Sequence, residues 1–127
     1  MEEAKRPAYL RTHRITGRKL AFLLRAEEEA QLEKAKERRS GRTAKTLVKD
    51  GPLRITLVGL RKGAEMKEHT VEGPASFQCL RGNLRFQLGE EEVELAANSL
   101  LVLDGGVPHN VAALRDSTLL ITISFAP

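Results

Sequence analysis

The chain has 127 residues, a formal net charge of +4, 41% apolar residues, 4% aromatics, no tryptophan and one cysteine, Cys79. That length suits one domain with one core, and a lone thiol excludes an intrachain disulfide and suits a reducing compartment. So few aromatics exclude the stacking platforms on which single-stranded nucleic acid is bound.

Residues 1–46 carry 13 Lys and Arg against 7 Asp and Glu, whereas residues 47–127 carry 8 against 10. The basicity therefore belongs to an appendage, and two parts are expected: a basic arm and helix over 1–45, and a β domain over 46–127. Residues 1–19 show no hydrophobic period. With Lys5, Arg6, Arg11, His13, Arg14, Arg18 and Lys19 they read as a solvated tail or a strand exchanged across a dimer, with an arm that orders on phosphate as the alternative. Residues 20–39, rich in Ala, Leu, Glu, Lys and Arg, predict a helix with a short apolar stripe of Leu20, Leu23, Leu24 and Leu32. Glu27, Glu28 and Glu29 precede Lys34, Lys36, Arg38 and Arg39, an order that complements the helix dipole, and Gly41 stops the helix. The apolar run LAFLL is cut short by Arg25, so neither a signal peptide nor a membrane span is expected, and the protein reads as soluble and cytoplasmic. GRTAKT, residues 41–46, lacks the Gly-Lys-Ser/Thr ending and the preceding strand of a phosphate loop.

From Thr46 the pattern changes to short runs punctuated by glycine and proline. Leu53, Ile55 and Leu57 alternate with polar residues, as do Leu84, Phe86 and Leu88, and Ile121, Ile123 and Phe125 share one phase. Period-two runs with turn signals every 8–12 residues predict an all-β antiparallel sandwich or barrel, and the lack of strand–helix alternation excludes a parallel sheet. Gly63 to Gly82 reads as a hairpin that presents His69 to an interior. In NSLLVLDGGVPHNVAA, Gly105 and Gly106 reverse the chain and His109 opens the next strand. Ala75, Phe77 and Cys79 share an inward phase, and Asp104 before Gly105 is ordinary turn chemistry.

These two stretches resemble the paired motifs of a small single-domain cupin. In the first motif Gly63, His69 and Gly82 match, while Val71 stands at the second histidine and Ala75 at the glutamate. In the second, Asn98, Asp104-Gly105-Gly106 and His109 follow the spacing, with Ala113 at the asparagine. The resemblance covers roughly Thr46 to Phe125 and implies a jelly-roll β-barrel behind the N-terminal helix and basic arm, and a homodimer. It also implies a site for one divalent ion (Fe, Mn, Ni or Zn) held by three histidines and a glutamate, of which only His69 and His109 remain here. Glu65, Glu68 and Glu72 do not replace the missing carboxylate. Two imidazoles alone rarely hold a first-row metal tightly, so the expectation is no resident metal and a pocket formed by His69, Phe77, Cys79, Phe86 and His109 for a small molecule. Three readings stay open: a binding or sensing domain; a metal-dependent oxygenase or isomerase anchored by His69 and His109; and an interaction module whose arm engages nucleic acid or protein. The incomplete ligand set weighs against the enzyme, and the acidic body against nucleic acid.

Overall fold

The computed structural model describes residue 15 and residues 18–125. Almost all of the basic arm, His13 included, lies outside the described residues.

One helix, α1 (Leu24–Glu37), precedes nine strands: β1 (Arg42–Asp50), β2 (Leu53–Leu60), β3 (Glu65–His69), β4 (Ala75–Arg81), β5 (Asn83–Leu88), β6 (Glu91–Ala96), β7 (Ser99–Leu103), β8 (His109–Ala113) and β9 (Ser117–Ser124). They form a five-stranded sheet, β1-β2-β9-β4-β7, and a four-stranded sheet, β3-β8-β5-β6, with every pairing antiparallel. This is a jelly roll, and hydrogen bonding does not join the two sheets into one closed barrel. No helix among the described residues is long and apolar enough to cross a membrane.

Most of the period-two residues meet between the sheets, while Leu53, Ile55 and Leu57 belong to a separate cluster. Phe77 and Cys79 from one side and Leu84, Phe86, Leu95 and Val111 from the other are at most 4% exposed and belong to one core cluster. The stretch from Gly63 to Gly82 is not a hairpin, because β3 and β4 lie in different sheets and the chain crosses the sandwich at Gly73-Pro74. Gly73 permits that crossing: a Cβ there would overlap the carbonyl oxygen of Ser124.

The helix begins four residues later than the composition predicts. Leu20, Phe22 and Leu24 alternate, and this lead-in packs against a second cluster, Leu47, Val48 and Leu57, on the outer face of the five-stranded sheet. Leu23, read from composition as part of the helix stripe, is 75% exposed. A register shift between Thr46 and Val48 lets the adjacent Leu47 and Val48 both be buried.

The buried face of α1 is Glu28, Gln31, Leu32 and Ala35, one stripe at helical spacing whose polar half has partners. Thr118 Oγ1 donates to Glu28 Oε1 at 2.6 Å, and Thr43 Oγ1 donates to the Gln31 carbonyl at 2.9 Å. The helix backbone sits directly on β2 at Gly59, where a Cβ would lie 2.7 Å from the Gln31 carbonyl oxygen. At the other end the Arg61 guanidinium donates to the carbonyls of Lys36, Arg38 and Arg39, at and just past the helix C-terminus.

Candidate functional site

The two motif loops are brought together by backbone contacts. Gly106, with φ +82°, donates its N–H to the Val71 carbonyl at 2.8 Å, and Asp104 Oδ1 accepts from the adjacent Gly105 N–H at 2.9 Å. This holds the loop between β7 and β8 against the segment after β3. β3 and β8 are neighbours in one sheet, and His69 stands opposite His109 in their register. The register slips between Met66 and His69. The side chain of His69 lies outside the described residues, so the pairing of the two histidines is a statement about backbone only.

His109 is 1% exposed. Its ring lies edge-on to Phe77, with centroids 5.2 Å apart, and 6.4 Å from Phe86; the two phenylalanines are themselves edge-to-face at 5.2 Å. Nδ1 lies 2.9 Å from the Val107 carbonyl oxygen. A carbonyl only accepts, so Nδ1 carries the hydrogen and donates it there. The result is a buried, oriented imidazole in an aromatic surround.

Cys79 is fully buried in the same core, and its thiol donates to the Arg81 carbonyl at 3.4 Å. Burial pushes the thiol from 9.0 up to about 11; the Arg81 hydrogen bond opposes the rise and the Glu28 carboxylate adds to it. The native protein therefore keeps the proton that the unfolded chain releases first. Stability from this group is complete below pH 9 and declines as pH climbs to 11, by about 2–3 kcal/mol in all. Urea denaturation between pH 8 and 11 should give a steeper decline for the native sequence than for Cys79→Ala, and a native thiol that alkylates at pH 8 as fast as free cysteine would refute it.

The residues that depart from the metal motif have become part of the packing. Ala75, at the glutamate position, is 2% exposed in the core, and Val71, at the second histidine position, packs against it. Glu65 and Glu72 are exposed, and the Glu65 carboxylate pairs with Lys67 at 3.7 Å. Among the described residues no three His, Cys, Asp or Glu side chains gather as a ligand set. Apolar side chains at two donor positions do not fit a first-row divalent ion. Asn98 departs differently. It stands where the motif has a glycine and takes φ +69°, a left-handed conformation asparagine tolerates, so this substitution preserves the turn.

The cupin domain family matches residues 56–125, more than half of the chain. The chain belongs to the cupins. Comparison with curated proteins finds no match. Among solved structures, this cupin is similar to the conserved SPY1581 protein of unknown function from Streptococcus pyogenes, with 23% identity, a TM-score of 0.66 and coverage of 89% of this chain and 92% of that one. It is also similar to KdgF from Halomonas sp., with 20% identity, a TM-score of 0.61 and coverage of 68% and 82%. A third similar structure is the cupin domain of an XRE family transcriptional regulator from Enterobacter cloacae, with 18% identity, a TM-score of 0.61 and coverage of 68% and 98%. The strands from Arg42 onward supply only about two-thirds of this chain, so the streptococcal match extends over residues ahead of them.

Proposed function

We propose that this cupin is a small-molecule binding or sensing domain that works without a tightly held metal. Its ligand is a compact, mainly apolar molecule recognised at the buried His109 beside Phe77 and Phe86. The observation that carries this reading is the held imidazole. The Val107 carbonyl holds Nδ1 and fixes the ring, and the surrounding rings favour an apolar body. The fold also serves as the cupin domain of a transcriptional regulator in Enterobacter cloacae, which is in keeping with a sensing role. One observation favours the second reading, a metal-dependent enzyme on His69 and His109: imidazoles that bind metal commonly donate their other N–H to a carbonyl.

A native mass spectrum separates the two. Protein purified without added metal and titrated with iron, manganese, nickel and zinc should carry far less than one ion per chain. Stoichiometric metal that disappears in His69→Ala and His109→Ala would establish the metal site instead. The same spectrum tests the homodimer, for which the outer face of β7 is the surface we infer: Leu100 and Val102 are 59% and 62% exposed there, beside half-buried Leu80 and Leu120 on the same sheet. A dimer that Leu100→Lys with Val102→Lys converts to monomer is expected, and a monomer from the native sequence would exclude it.

A further inference from the structure

A groove of about 700 Å³ opens where β1 and β3, edge strands of the two sheets, face each other beside the C-terminus of α1. Its floor is apolar. Val58 belongs to the core, 2% exposed, and Met66 packs against that core. Its rim is basic: among the described residues Arg38, Arg42 and Lys67 line it with the Ser40 hydroxyl, and Lys67 is paired with the Glu65 carboxylate at 3.7 Å. The volume falls within the range of small-molecule clefts.

Three arrangements favour an anion here. Arg42 donates one N–H to the Glu65 carbonyl at 2.6 Å, which fixes its guanidinium along the wall, and among the described residues neither its other side-chain donors nor those of Arg38 have a partner. The carbonyls at the end of α1, which would repel an anion, are already occupied by Arg61. The turn that sets Ser40 and Arg42 is held by Gly41 at φ +72°, whose position leaves no room for a Cβ beside Arg61 Nη2 at 2.9 Å. The arm of this chain is not the occupant that charge selects, since residues 1–19 carry six Lys and Arg against two Glu.

We propose that this seam binds an amphiphilic oxyanion, a molecule with one carboxylate or phosphate monoester head and a short apolar body. The head is taken by Arg38 and Arg42, and the body lies on Met66 and Val58. The site is separate from the His109 site and stands without it. Chemical shifts of ¹³C-labelled methionine methyl groups test it directly, because the chain has only two methionines and Met66→Leu assigns the signal. Titration with octyl phosphate or octanoate should shift the Met66 signal saturably. Binding should weaken at least tenfold in Arg38→Ala with Arg42→Ala, weaken with added salt, and remain unchanged in His109→Ala. Inorganic phosphate should bind more weakly than octyl phosphate, and neutral octyl glucoside should not compete. Octyl glucoside binding as well as octyl phosphate would reduce the seam to a plain apolar patch. Undiminished octyl phosphate binding in the double arginine variant, with its fold intact by circular dichroism, would overturn the proposal.

Discussion

Gly82→Ala should lower stability by about 3–5 kcal/mol, whereas Gly63→Ala, at the other glycine of the first motif, should lower it by only about 1–2 kcal/mol. Both glycines have nearly the same left-handed backbone, φ +90° and φ +89°, so an alanine meets the same conformational cost at either. They differ in what surrounds them. A Cβ on Gly63 meets nothing within 4 Å, while one on Gly82 would overlap Ser117 Oγ and the Asp116 carbonyl and lie 2.8 Å from Ser117 Cα. Ser117 cannot move aside cheaply. It is fully buried, its hydroxyl donates to the Arg115 carbonyl at 2.7 Å, and it accepts from the Asn83 N–H at 3.0 Å. That knot fixes the start of β5, the strand that carries Phe86 toward His109. A domain of this size is stable by roughly 5–15 kcal/mol, so Gly82→Ala should shift a urea midpoint far more than Gly63→Ala does. Equal losses at the two positions would mean that backbone conformation alone sets the requirement and that Ser117 yields.

The β-sheet core was legible because it depends on a local pattern. Phe77, Cys79, Leu84, Phe86, Ile121 and Ile123 fall at period-two positions of their runs, and all are buried. The lead-in to α1 was misread because Leu20, Phe22 and Leu24 are good helix formers that also satisfy a period of two, and the apolar face of β1 and β2 decides between those patterns. The crossing at Gly73 resembles a hairpin turn in sequence, since glycine and proline signal reversal without saying which sheet the next strand joins. In the site, His109 and its phenylalanine neighbours follow from strand phase. The hold on its Nδ1 does not, because it rests on the Val107 carbonyl, an atom every residue has. The basic seam was hidden for a different reason: Arg38 and Arg42 flank a helix end, and Lys67 joins them only through the meeting of two sheet edges.

Phe77→Ala should cost about 3–5 kcal/mol, and Phe77→Leu less because it leaves a smaller cavity. Phe77 is 1% exposed and lies in the central row of its sheet, with Ile121 on one side and Leu101 on the other. Its ring is also the shared neighbour of Phe86 and His109, each 5.2 Å away between centroids. Truncation thus removes two edge-to-face contacts together with the buried area, which places the loss toward the upper part of that range. The cavity would open beside the His109 imidazole in an otherwise apolar wall, so phenol should raise the melting temperature of Phe77→Ala more than benzene does. Benzene supplies only the lost apolar contacts, whereas phenol adds a hydroxyl that can hydrogen-bond in the polar part of that wall. Equal rescue by both would mean that His109 offers no polar contact to the space Phe77 fills, and the reading of His109 as the recognition group would fall with it. If neither ligand stabilises the variant, the sheets have closed over the gap, and the measured loss should then lie near the lower limit.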